Sequence, residues 1–231
     1  MQLSELKNLL ASQGLTMRGG FHPTAGDGLP PLEDGGMPGT LILIGDIGGR
    51  LWPRFSESAE ANDGAPDPLD HWTRRIVDDI ARRIPATPLY PFGGPPYWPF
   101  QRWAQRAESV FPSPLGILIH PEHGLWHAYR AALVFAEPID LPPRAEARSP
   151  CESCAAKPCL SACPVGAFSG AGFDVDACTG HITRAAGRPC MDGGCLARNA
   201  CPVAAHLHYP APQMRFHMAA FRIARSSSFN R

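Results

Sequence analysis

The sequence predicts an α+β chain in two parts: a mixed domain of helices and strands, then a compact cysteine-bearing module. Three observations predict it. Helical apolar spacing and short continuous apolar runs alternate through residues 1–147. All eight cysteines lie between Cys151 and Cys201. The 23 glycines and 26 prolines among 231 residues demand many turns.

Leu3, Leu6, Leu9 and Leu10 recur at helical spacing, and Gly14 is placed to end that helix. Thr40–Gly45 (TLILIG) reads as a buried strand. Asp67-Pro68-Leu69-Asp70 reads as a helix start, with Asp67 as N-cap and Pro68 in the first turn. Ile76, Val77, Ile80 and Ile84 continue one face, and Pro85 stops the helix. Pro99–Val110 reads as a further helix, with Phe100, Trp103, Ala104 and Ala107 on one side. Leu115–His120 and His127–Phe135 read as strands joined by the turn Pro121–Gly124. The proline- and charge-rich Leu141–Pro150 reads as a linker. The expected domains are therefore 1–147, a cysteine module at 148–205, and a C-terminal helix and tail at 206–231. Met214, Met218 and Phe221 mark that last helix, with Ser226–Arg231 frayed.

Composition narrows the function classes. The 21 basic and 21 acidic residues cancel, which argues against a partner held by phosphate neutralisation, so no nucleic acid is expected. Hydrophobic residues at 44% and charged residues at 18% suit a chain with a core. The start lacks a basic segment followed by a long apolar one. The longest uncharged stretch, Ile84 to Gln101, is broken by prolines, so no membrane partner is expected and a cytoplasmic location is. In that reducing compartment, cysteines bind metal or catalyse more often than they pair.

Their spacing sharpens this. Cys151, Cys154, Cys159 and Cys163-Pro164 form a first run; Cys178, Cys190, Cys195 and Cys201-Pro202 form a second. A four-iron cluster needs four thiolates converging on one small volume, and closely spaced cysteines supply three of them at little loop-closure cost. In two-cluster bacterial ferredoxins the fourth cysteine of each run ligates the other cluster. Carried onto this chain, that rule assigns one [4Fe–4S] cluster to Cys151, Cys154, Cys159 and Cys201, and a second to Cys163, Cys178, Cys190 and Cys195. Zinc, disulfides and a single cluster with spare thiols are the alternatives. The nearby His181, His206 and His208 read as structural or surface residues.

The cysteine module resembles the C-terminal dicluster region of epoxyqueuosine reductases and corrinoid reductive dehalogenases. The matching segments are CESCAAKPCLSACPVGAF (151–168), the isolated Cys178, and PCMDGGCLARNACP (189–202). In the N-terminal domain, SPLGILIHPEHGLWHAYRAALVF (113–135), GTLILIGDIGGRLWPRF (39–55) and DPLDHWTRRI (67–76) resemble the cobalamin-processing proteins of the methylmalonic-aciduria type C family. These resemblances imply a nitroreductase-like N-terminal domain that holds cobalamin, followed by a ferredoxin-like module. The queuosine family's catalytic acid has no matched position here.

A pair of clusters is a one-electron relay and needs an acceptor. Cobalamin is the expected acceptor, FMN the alternative on the same fold, and a ferredoxin-type carrier without either the non-enzymatic reading. A redox partner protein and a small-molecule substrate are the expected partners. Tyr90–Trp98 (YPFGGPPYW) reads as an aromatic, glycine-opened wall for a flat cofactor. The candidate cofactor residues are Gly93, Gly94 and Tyr97 on that wall, His120 beside the turn, and Trp126 and Arg130 alternating on one strand face. Glu122 and Asp46 are candidate proton donors.

Overall fold

The computed structural model describes residues 3–32 and 35–228. It is a mixed α/β chain whose internal contacts fall into two units: residues 1–109 with 127–147, and residues 110–126 with 148–231.

The first unit is built on a four-stranded antiparallel sheet, in the order Thr16–Phe21, Thr40–Ile47, His127–Phe135, Thr87–Leu89. Thr40–Ile47 is buried along its whole length. A central strand covered on both faces needs apolar side chains on both, hence the unbroken run Leu41–Ile44 in place of alternation. At Gly45 the pairing is irregular, and a Cβ there would come within 1.9 Å of the Ala128 carbonyl oxygen, so only glycine lets the strands close. Thr16–Phe21 carries a bulge between Met17 and Gly19. Arg18, at that bulge, is 4% exposed, and its guanidinium donates two hydrogen bonds to the Glu108 carboxylate at 2.9 and 2.7 Å.

The helix Pro68–Arg83 buries Leu69, Trp72, Thr73, Ile76, Val77, Ile80 and Ala81, one stripe at helical spacing. Asp67 occupies the expected N-cap position, but in the left-handed conformation (φ 50°) and with no side-chain capping bond. The start rests instead on Pro68, whose missing N–H removes one donor that would otherwise lack a partner. The next helix runs Phe100–Ala107, shorter than the expected Pro99–Val110. Glu108 is already extended (φ −137°, ψ 163°), with its carboxylate drawn to Arg18.

The second unit is made of short pieces: helical turns at Pro150–Ser153, Pro158–Ser161, Arg188–Gly193 and Leu196–Asn199, and longer helices at Val175–Ile182 and Ala211–Ser228. Segment 110–126 belongs here, although the sequence places it with the N-terminal domain. The strand expected at Leu115–His120 is reduced to Leu118–Ile119, paired with Phe111–Pro112. Leu115 lies in a turn, where the Gly116 N–H donates to the Ser113 carbonyl at 3.0 Å. The expected turn at Pro121–Gly124 is closed by two 2.9 Å bonds between His120 and Gly124. Gly124 (φ 57°) lies against Val203, whose carbonyl oxygen a Cβ would meet at 2.2 Å. One buried cluster here is Leu115, Ile119, Leu125, Cys159, Ala197 and Cys201.

The C-terminal helix reaches Ser228, so Ser226–Ser228 are helical where fraying is expected; residues 229–231 of that stretch lie outside the described residues. No helix among the described residues is long and apolar enough to cross a membrane.

Candidate metal centre

The eight cysteines gather into two sets of four. Cys151 sits on the Pro150–Ser153 turn with Cys154 just beyond it, Cys159 sits on Pro158–Ser161, and Cys201 follows Leu196–Asn199. These four line one hollow with Pro114, Ile119 and Val203. Cys163, Cys178, Cys190 and Cys195 line another, walled by Phe168, Phe173 and Phe221. The second hollow has a volume of about 320 Å³ and the first about 20 Å³. The first hollow is thus much the tighter of the two, with Cys151 and Cys154 half-buried beside it.

Electrostatics draws the same division. Burial pushes the Cys151 thiol up, and Cys201, Cys159 and Cys154 add to it. Burial pushes Cys159 up as well, with Cys201 and Cys154 adding. Cys178 is pushed up to about 11, by burial first and then by Cys195, Cys163 and Cys190. Burial also raises Cys190, with Cys195 and Cys163 contributing. Each shift thus arises within a set. Burial first, and neighbouring thiols second, disfavour the thiolates of Cys151, Cys159, Cys178 and Cys190, an effect that a bound cation would offset.

Backbone N–H groups stand ready for the thiolates. The Ala167 N–H donates to the Cys163 Sγ at 3.4 Å. The Leu196 N–H serves Cys190, those of Ala197 and Arg198 serve Cys195, and the Val203 N–H serves Cys201. Such bonds to sulfur tune cluster potentials.

The sulfurs can be compared with the spacing a single zinc would impose. Four thiolates about 2.3 Å from one zinc stand about 3.8 Å apart. Among the described residues, no three cysteine sulfurs lie within 4.8 Å of one another; the group that does meet that spacing is His120, Glu122 and His123. A four-iron cluster, with its irons between the ligands, needs the wider separation. All eight cysteines are free of disulfides. The His120 group is a poor cation site. Its two rings stack 4.1 Å apart and 10° from parallel, so their in-plane lone pairs do not converge. The His120 Nδ1 accepts the Glu122 and His123 N–H groups at 3.0 and 3.3 Å, the work of a turn histidine.

The other candidate residues divide between the units. Gly93 (φ 89°), Gly94 and Tyr97 (71% exposed) lie in the first. There the Arg74 guanidinium covers the Tyr90 ring at 4.5 Å and the Phe92 ring at 5.6 Å, and Arg130 stands 5.5 Å from Phe92. Arg130 is anchored to the start of the long helix through Thr73, the Leu69 carbonyl and Asp70. His120 and Trp126 lie in the second unit. Trp126 and Arg130 do not share a strand face: the strand begins at His127, one residue too late. Trp126 is instead 1% exposed, packed on His208, Tyr209 and Arg198. Asp46 is 1% exposed, with its Oδ1 accepting the Leu51 N–H at 3.2 Å, while Glu122 is exposed. Sequence reading missed Arg198, although it lies three residues beyond Cys195 in the closing cysteine pattern.

No protein-family model and no curated protein matches the sequence. Solved structures do, and they are of the kinds the motifs suggest. One is an epoxyqueuosine reductase with an epoxyqueuosine-modified tRNA-Tyr stem loop: 16% identity, 93% of this chain and 69% of that one covered, TM-score 0.47. Another is the Streptococcus thermophilus epoxyqueuosine reductase: 16% identity, 90% and 67% covered, TM-score 0.49. A third is the C. elegans B12-trafficking protein CblC: 13% identity, 95% of each chain covered, TM-score 0.51. The likeness to CblC shows a shared fold.

The tRNA-bound reductase corrects one expectation, the exclusion of nucleic acid. Net charge is a sum over the whole surface, and a sum of zero is compatible with a local basic face. The charge balance therefore excludes no such partner.

Proposed function

We propose that the chain is an iron–sulfur oxidoreductase, with a nitroreductase-like N-terminal domain for a cobalamin-type corrinoid and a ferredoxin-like module for two [4Fe–4S] clusters. Cys151, Cys154, Cys159 and Cys201 would hold one cluster, and Cys163, Cys178, Cys190 and Cys195 the other. Bound clusters supply one-electron transfer, with the corrinoid as acceptor. The chain's own residues hold the sulfurs apart, direct backbone N–H groups at them, and wall the second set with Phe168, Phe173 and Phe221. In the N-terminal domain, Arg74 and Arg130 brace the aromatic segment that carries Gly93, Gly94 and Tyr97. The observation that carries the reading is the gathering of eight cysteines into two sets of four with none left over. The likeness of fold to a B12-trafficking protein favours a corrinoid over FMN.

The test is anaerobic purification with iron and sulfide analysis, followed by absorbance titration with cobalamin and with FMN. About eight irons per chain are expected, together with a cobalamin spectral change. Zinc without iron overturns the clusters. Clusters without cobalamin binding overturn the corrinoid, leaving an electron carrier, or a flavin reductase if FMN binds.

A further inference from the structure

Arg198 has an unusual setting for an arginine. Its guanidinium lies 4.5 Å from the Trp126 ring centroid and 4.7 Å from that of Tyr209. Its Nε donates to the Leu125 carbonyl at 3.2 Å, and its Nη2 bonds the same oxygen. No carboxylate among the described residues pairs with it. It is half-buried and lines the hollow of the second cysteine set. It also lines a smaller cavity of about 50 Å³ beside Cys195, with Trp126 and Tyr209. Its backbone N–H serves the Cys195 sulfur. An arginine stays charged at any pH the protein survives, so this is a fixed, uncompensated positive charge on the wall of one set. His208, whose ring centroid lies 4.1 Å from that of Trp126, adds no second charge: burial and Arg198 both push its ring toward the neutral form. Among the described residues lining the first set's hollow there is no equivalent arginine. The cation on its hollow is Lys157, which is exposed and so screened by water.

We propose that Arg198 tunes the second cluster: held by two rings beside Cys195, it raises that cluster's reduction potential, so an electron entering the pair comes to rest there. Reduction adds negative charge to an already anionic thiolate cluster, and a nearby cation in a partly desolvated setting favours the reduced form. The proposal rests on the two-cluster reading above and names the residue that makes the two clusters unequal.

The test is an EPR-monitored redox titration of the full chain, after iron analysis, on wild type, Arg198→Gln and Arg198→Lys. Arg198→Gln is expected to retain both clusters. Its equilibrium constant for reducing one cluster should fall about tenfold, about 59 mV for a one-electron couple, with the other cluster unmoved. Repeating the comparison in a Cys154→Ser background, which removes the first cluster, identifies the shifted signal as the second. Arg198→Lys should restore the wild-type midpoint. Unchanged midpoints in Arg198→Gln overturn the proposal, as does an equal fall in Arg198→Lys, which would assign the effect to ring packing. Should Arg198→Gln lose the second cluster, Arg198→Lys decides alone: a wild-type midpoint supports the proposal and a fall overturns it. A wild-type chain without iron refutes the two-cluster reading instead, so the two failures are distinguishable.

Discussion

In the first unit Leu41, Ile42, Leu43, Ile44 and Trp103 are fully buried, around a sheet whose central strand is paired on both sides. In the second, a small cluster of Leu115, Ile119, Leu125, Ala197, Cys159 and Cys201 and the scattered buried residues Trp126, Ile182, Cys190 and Tyr209 are carried largely on short elements and loops. One region is held by removing apolar surface from water. The other buries fewer large apolar side chains, and Cys159, Cys190 and Cys201 are among its buried residues. Small domains with thin cores ordinarily need staples, and under the proposed two-cluster reading metal ligation would be that staple.

The sharpest way to break this comparison is to remove the metal. Chelation after oxidation is expected to abolish hydrogen-exchange protection across 110–126 and 148–228 while leaving the strands of the first unit protected. Uniform loss, or none, would erase the contrast. Next come the cysteines themselves. Cys159→Ser and Cys201→Ser should each remove about four irons and the same EPR signal, despite their separation in sequence. Cys178→Ser should remove the other signal, and a shared signal across all three would refute the division into two sets. Third, Trp103→Ala should destabilise the first unit by about 3–5 kcal/mol, measured by denaturant unfolding, with iron content unchanged. A loss of iron there would show that the two regions do not stand independently.

The smallest effect concerns Glu60. Hydrogen bonds from Arg75 hold its carboxyl at about 2, against the opposing effect of burial. A depressed folded-state pKa stabilises the fold above the ordinary carboxylate range, and that gain is lost as pH falls toward 2. Arg75 is 49% exposed, so the contribution is under about 1 kcal/mol. Glu60→Gln should therefore melt slightly below the parent at pH 7, and the gap should close as the pH approaches 2.

What the sequence disclosed follows from range. The strand His127–Phe135 is legible to the residue because its apolar run is local. The two cysteine sets are legible because spacing and the Cys-Pro pairs constrain them. The Arg18–Glu108 pair, 90 residues apart, leaves no local trace, and it cuts short the helix expected to run to Val110. Trp126 was misplaced by one residue: alternation carried it onto the following strand, whereas it packs on Arg198 and Tyr209. Arg198 itself went unnoticed because nothing in a linear string marks which arginine will lie between two aromatic rings.

The excursion 110–126 has a consequence for engineering. The chain passes between its two units three times, at 109–110, 126–127 and 147–148. The cysteine module is therefore not one continuous stretch at the end of the chain. Cutting at the linker would strand Leu115, Ile119, Leu125 and Trp126 as a greasy loop stripped of its cover, an invitation to aggregate. A graft of this module into another scaffold must carry two separate stretches of chain.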